Sequence, residues 1–253
     1  LTDINFDVKR GETIGIIGGT GSGKSSLVNM LPRFYDYTGG QLKIDGIDVK
    51  DYAVDDLRNK IGVVMQRVVL FKGTIRENLK WGNPDATDTD LMEALETAQA
   101  AEVVQGKENG LDAEVAQGGK NFSGGQKQRL TIARALVRKP EILILDDSAS
   151  ALDYATDAAL RKAIRDMKNS PTLFIVSQRA ASILYADKII VLDDGKVVGI
   201  VEAKECTPEQ RHVPEKNTGV MIFDCKTLCE MLGELKNDNS KGEYYLTDVP
   251  KML

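Results

Sequence analysis

Histidine is almost absent from this chain of 253 residues: His212 stands alone, and imidazole chemistry is unavailable to everything upstream of it. Cysteine is scarce and lopsided, with Cys206, Cys225 and Cys229 all in the last fifty residues. Their irregular spacing suggests a reducing compartment rather than a disulfide framework. A zinc site from Cys225, Cys229 and His212 is the alternative; two cysteines four apart on a predicted helix read more simply as packing residues. No apolar run approaches eighteen residues, so no segment reads as a membrane-crossing helix. A signal peptide, an internal repeat and a Gly/Ser- or Pro-rich linker are also missing. With 33 basic against 38 acidic side chains, attraction to a phosphate backbone is not the main purpose, and no nucleic-acid partner is expected. The chain opens on Leu1, inside what reads as a strand, which suggests a fragment lacking its upstream part. What remains is an ordinary globular composition, 42% hydrophobic and 28% charged, with room for one large domain or two small ones.

Two short segments about a hundred residues apart stand out against this background. Thr13–Ile17 is an apolar, β-branched run that reads as a buried strand, and it leads into Gly18-Gly19-Thr20-Gly21-Ser22-Gly23-Lys24-Ser25. Ser26 follows in an apolar helix that stops at Pro32. Strand, glycine loop and helix in that order form a P-loop, where backbone amides and the helix dipole converge on phosphates. Lys24 is placed to reach the β- and γ-phosphates, and the Ser25 hydroxyl to ligate Mg²⁺. A plain glycine turn is the bland alternative, and these flanks disfavour it. The run Glu141–Asp147 is the matching second strand, with Asp146 set to hold Mg²⁺ and Asp147 to meet an attacking water. Alone, such a strand ending in aspartate would be structural; beside a P-loop it is functional.

Between them lies a predicted helical region. Thr87 and Asp90 form a capping box ahead of the stripe Leu91, Ala94, Leu95 and Ala98. Ser123-Gly124-Gly125-Gln126 opens a second capped helix through Leu130, Ala133, Leu136 and Val137. Two glycines in a first helical turn cost about 1 kcal/mol each against alanine. That cost makes sense where a phosphate approaches bare backbone.

As a set, these residues resemble the ATP-binding cassette (ABC) family, specifically the nucleotide-binding domain of bacterial exporters, over about Leu1 to Gly199. The likeness rests on GGTGSGKS, VVMQ ending at Gln66, LFKGTIRENL, FSGGQ, ILILDD and SALD at Ser150–Asp153. It implies an α/β fold: a P-loop NTPase with a mixed sheet core and a helical subdomain at about residues 80–139, the cassette ending near residue 195. ATP and Mg²⁺ are the implied ligands, with Gln66 sensing the metal and coupling the site to membrane helices. The implied partners are the transmembrane domain of an exporter and a second nucleotide-binding domain, because two such domains sandwich two ATPs between one P-loop and the other's signature. The implied location is the cytoplasmic face of the membrane, peripheral through a membrane-spanning partner. The family's adenine-stacking aromatic falls upstream of Leu1, so weakened nucleotide affinity is expected. Cassette ATPases of chromosome maintenance insert long coiled coils for which there is no room here.

Two departures fall in one composite site. The family carries glutamate where this chain has Asp147; losing a methylene retracts the carboxylate by roughly 1 Å. It also carries a switch histidine where this chain reads Val176-Ser177-Gln178-Arg179. Glutamine can hydrogen-bond a γ-phosphate but brings no charge. The pattern resembles the degenerate half of a heterodimeric exporter, with slow turnover at its own P-loop; the alternative is a weaker general base in a homodimer.

Beyond Ala186–Gly199, a predicted hairpin around Asp193-Asp194-Gly195, the exporter pattern gives way. IVEAKE, EKNTG and GEYYLTD resemble the nucleotidyltransferase domain of bacterial N-acetylglucosamine-1-phosphate uridylyltransferase, so residues 196–253 read as a short, incomplete α+β fragment. By that resemblance Glu202 and Asn217 would touch a sugar nucleotide. The glycine-rich loop of that family is missing, so the alternative function, sugar-nucleotide pyrophosphorylase, is expected to be inactive. An accidental join is the expectation for the chimera.

Overall fold

Alternation along short, wholly apolar strands decides how the molecule is layered. The computed structural model describes residues 1–148, 151–178 and 182–202. The strands are β1 (Thr13–Gly18), β2 (Lys43–Ile44), β3 (Ile47–Asp48), β4 (Ile61–Val64), β5 (Gly73–Thr74), β6 (Glu114–Val115), β7 (Ile142–Asp146), β8 (Thr172–Val176), β9 (Lys188–Asp193) and β10 (Lys196–Glu202). The helices are α1 (Lys24–Met30), α2 (Val54–Asn59), α3 (Ile75–Lys80), α4 (Asp88–Thr97), α5 (Ala101–Gln105), α6 (Gly124–Val137) and α7 (Tyr154–Arg165).

The main sheet has six strands in the order β10-β9-β1-β8-β7-β4, parallel except for the β10 edge. Along β7, Leu143 and Leu145 enter one apolar cluster with α6 and α7, while Ile142 and Ile144 enter another with Leu27 and Val28 of α1. Both faces are covered, which is why β1, β7 and β8 read as continuous apolar runs. The mixed sheet and its helices agree with the expected α/β class.

Helices α3 to α6 form the helical region, beginning at Ile75, somewhat ahead of the expected start near residue 80. Capping boxes open α3 at Thr74–Glu77, α4 at Thr87–Asp90 and α6 at Ser123–Gln126. The two predicted stripes, Leu91–Ala98 and Leu130–Val137, are buried as expected. The predicted hairpin is present as β9 and β10, with Asp194 at φ 42° and Gly195 at φ 75°, the left-handed pair a tight two-residue turn needs.

The second strand of the hairpin runs further than the expected end at Gly199. Lys196–Glu202, assigned by sequence to the C-terminal fragment, pairs along β9 down to Glu202 opposite Lys188. Apolar β-branched residues at a free sheet edge continue the ladder whatever their ancestry. Asn217, the zinc alternative and the rest of the tail lie outside the described residues.

Candidate functional site

Parallel strands all aim their C-terminal ends at one edge of a sheet, and ligands of open α/β folds bind outside that edge. Here β1 ends at Gly18, β7 at Asp146, and β8 lies between them, in register through Ile16–Val176 and Asp146–Val176. Gln178 lies two residues past the end of β8, the strand between those that carry the glycine loop and the carboxylates, and it is exposed.

The loop is built for close approach. Gly18 is pinned in the sheet: a β-carbon there would lie 2.2 Å from the Leu192 carbonyl oxygen and 2.6 Å from Ser22 Oγ. Gly21 and Gly23 hold φ values of 82° and 95°, the left-handed region that L side chains avoid. Gly23 is the N-cap of α1 and offers no side chain to its first-turn amides, unlike the serine and threonine caps elsewhere. Those amides are left for an anion, with the helix dipole in support. Thr20, Gly21, Ser25 and Ser26 are exposed, Gly19 is half-buried, and Ser22 is buried.

Lys24 folds back over its own loop. Its Nζ donates to the carbonyls of Gly18 and Gly19, both at 2.7 Å, and lies 3.5 Å from Ser22 Oγ. A buried ammonium must find acceptors, and the loop's own carbonyls are nearest. Burial pushes its pKa down, opposed by the charges of Asp146 and Asp147.

Ser25 Oγ donates to Asp146 Oδ1 at 3.0 Å, bringing together the two groups expected at a metal. Burial raises the Asp146 carboxyl, and the Ser25 hydrogen bond works against that. Gln66 joins the cluster through the second carboxylate: its Nε2 donates to Asp147 Oδ2 at 3.0 Å. The reason is topological, since β4 and β7 are neighbours and both loops leave the same sheet edge. Asp147 itself holds φ 47°, and its amide donates to the Val176 carbonyl at 2.9 Å. Such a backbone is sparsely populated outside glycine.

ATP and Mg²⁺ fit these residues. The side-chain-free helix cap and the open space beside Gly21, where a β-carbon would meet nothing within 4 Å, suit a phosphate chain. Ser25, Asp146 and the Gln66 carbonyl oxygen are hard oxygen donors, few in number, as suits Mg²⁺ with its retained waters and substrate oxygens. Among the described residues no group of three or more His, Cys, Asp or Glu could hold a metal by itself.

The signature residues are not part of this cluster. Among the described residues no hydrogen bond or ion pair joins Ser123–Gln126 to Gly18–Ser26. Ser123 Oγ accepts from the Gln126 amide at 3.2 Å, and Gln126 Oε1 accepts from the Ser123 amide at 2.9 Å. Ser123 and Gly124 face solvent. For Gly125 a second reason for glycine emerges, since a β-carbon there would approach the Ala151 carbonyl oxygen to 3.2 Å. The phosphate argument therefore shares that position with packing.

Four side chains escaped the sequence reading. Gln128 is buried and accepts from the Ala151 amide at 3.2 Å, tying α6 to the segment before α7. The buried Ser148 hydroxyl, beside Asp147, has no hydrogen-bond partner among the described residues. Asp157 and Arg161 pair inside α7; their i,i+4 spacing was the one available signal.

Residues 1–150 match the family model described as ABC transporter. The chain belongs to the ABC transporter family. Two Staphylococcus aureus proteins named as multidrug export ATP-binding/permease proteins, from strains NCTC 8325 and bovine RF122, are each 42% identical over 210 residues. Those matches cover 83% of this chain, which spans about a third of the length of either relative (36%). A solved bacterial Atm1-family ABC exporter with ATP bound superposes at a TM-score of 0.75 with 35% identity, covering 79% of this chain and 35% of the other. The P-loop ATPase fold of ABC transporters is thus established for this sheet and its helices.

Proposed function

We propose that this chain is the ATP-binding and ATP-hydrolysing part of an ABC exporter, turning over slowly at its own P-loop and completing a faster site on a partner domain. The observation that carries the reading is the meeting of Lys24, Ser25, Asp146, Asp147 and Gln66 at one sheet edge, with Gln178 two residues past the end of β8. Lys24 and the amides of Gly19–Ser25 would bind the β- and γ-phosphates of ATP. Ser25 and Asp146, with Gln66, would hold Mg²⁺, which when bound neutralises phosphate charge. Asp147 would accept a proton from the water that attacks the γ-phosphorus, leaving ADP and phosphate as products.

The slow own site follows from two side chains. Asp147 is one methylene short and already accepts from Gln66. Gln178 supplies an uncharged hydrogen bond where an imidazolium would supply charge as well. Exposed Ser123 and Gly124 at the tip of α6 suit a phosphate brought by a second domain, a heterodimeric partner that carries glutamate and histidine.

Support for a membrane partner lies between β4 and α6. An open groove of about 300 Å³ runs between the sheet edge and α6, lined by Phe34, Arg58, Phe71, Trp81, Arg134 and Arg138 among others. Phe71 and Trp81 stack with ring centroids 4.8 Å apart, yet remain 43% and 65% exposed. Aromatic surface left open in this groove suits a helix from the membrane-spanning part. Among the described residues no helix is long and apolar enough to cross a membrane itself. Its place would be the cytoplasmic membrane face.

The test is ATP turnover by the purified chain, alone and after mixing with candidate partner domains. The expected result is slow release of phosphate alone and at least a tenfold rise per site on assembly. Brisk hydrolysis by the chain alone would overturn the slow-site reading.

A further inference from the structure

Asp157 and Arg161 form a buried ion pair within α7 that no step above uses; their side chains are only 10% and 8% exposed. One terminal nitrogen of Arg161 donates to Asp157 Oδ2 at 2.8 Å, and Nε donates to the Asp157 carbonyl at 3.2 Å. The other terminal nitrogen crosses to the Ser182 carbonyl at 2.6 Å. Ser182 Oγ donates back to Asp157 Oδ2 at 3.3 Å, and Arg165 donates to the Tyr185 carbonyl at 3.4 Å. The Arg161 guanidinium also lies 5.7 Å from the centre of the Tyr185 ring.

Desolvation consumes most of what a buried pair gains, so apolar residues could hold α7 in place as well. A forked guanidinium does something they cannot: it fixes a particular backbone carbonyl, that of Ser182, against the helix. Ser182 follows Gln178 by four residues. The next residue, Ile183, is buried against Gly15 of β1, where a β-carbon would come within 2.7 Å of it. Ser182 and Ile183 are thus held by α7 on one side and by the sheet on the other. Helix α7 in turn starts at its Asp153 cap, two residues after Ala151, which is bonded to Gln128 of α6.

We propose that Arg161 is a positioning residue for Gln178: by fastening Ser182 to α7, it sets where the Gln178 amide stands relative to the P-loop and Asp147. It rests on the reading of Gln178 as the γ-phosphate contact. A side chain that acts through Gln178 affects ATP, which has a γ-phosphate, and leaves ADP alone.

Affinities for MgATP and MgADP are measured by titration calorimetry on the 253-residue chain and on Gln178→Ala, Arg161→Met, the double variant and Arg161→Lys, each checked by thermal unfolding. Gln178→Ala is expected to lower the ATP-to-ADP affinity ratio about tenfold, the scale of one hydrogen bond to a charged group. Arg161→Met is expected to lower it comparably, and the double variant no further than either alone. Arg161→Lys keeps its charge against Asp157 but loses the fork to Ser182; it shifts the ratio the same way and decides the matter if the methionine variant does not fold. Equal weakening of ATP and ADP, an unchanged ratio in Arg161→Lys, or effects that add to those of Gln178→Ala would overturn the positioning role. An unchanged ratio in Gln178→Ala would instead remove Gln178 as the γ-phosphate contact; an Arg161 effect persisting there would then act by another route.

Discussion

Replacing Asp147 by glutamate and Gln178 by histidine together is expected to raise ATP turnover at this chain's own P-loop by about 100-fold. That is the lower end of what a well-placed general base contributes. Glutamate extends the carboxylate past the point where Gln66 holds Asp147 Oδ2 at 3.0 Å, toward the water it must deprotonate. Histidine adds charge just past the end of β8, the strand between those that carry the P-loop and that carboxylate. Neither change suffices: Asp147→Glu alone leaves the γ-phosphate contact uncharged, and Gln178→His alone leaves the base retracted. Single-turnover phosphate release in the assembled protein distinguishes the cases. Near-normal turnover in Asp147→Glu alone would contradict the view that both positions limit the site.

Gly18→Ala is expected to damage the protein more than any other single methyl in the loop. The new β-carbon would lie 2.2 Å from the carbonyl oxygen of Leu192, its register partner on β9, and 2.6 Å from Ser22 Oγ. Backbone on a neighbouring strand cannot step aside, so either the β1–β9 pairing opens or the loop shifts off its phosphate geometry. Overpacking of this kind costs about 1–3 kcal/mol. At about 2–4 °C per kcal/mol for a domain of this size, the midpoint of thermal unfolding should fall by about 2–12 °C, with MgATP binding lost. Gly39→Ala is the internal control, because a β-carbon there meets nothing within 4 Å. A Gly18→Ala protein with unchanged melting and unchanged affinity would show that the loop is less confined than its neighbours imply.

The parts legible in the sequence were those with local causes. Thr87 and Ser123 announced their helices because a capping hydroxyl and its partner three residues on are both written in order. The P-loop announced itself because φ 82° and 95° demand glycine at positions 21 and 23. The continuous apolar runs of β1, β7 and β8 followed from a sheet covered on both faces. What stayed hidden depends on contacts between distant segments. The Gln66–Asp147 bond spans 81 positions, and nothing in VVMQ or ILILDD says which carboxylate that amide will meet. The constraint that Ala151 places on Gly125 is a packing fact with no local signature. The reach of the edge strand down to Glu202, beyond the hairpin expected over Ala186–Gly199, depends on pairing with β9 that no local motif announces.

The account stands on triphosphate held by the glycine loop through Lys24, and MgATP titration of the chain and of Lys24→Met tests that most directly. Methionine preserves the aliphatic stem, so melting should change little while affinity falls about 100-fold, the equivalent of two charge-assisted hydrogen bonds. Wild-type chain that ignores MgATP, or a methionine variant that binds it equally well, would contradict the account.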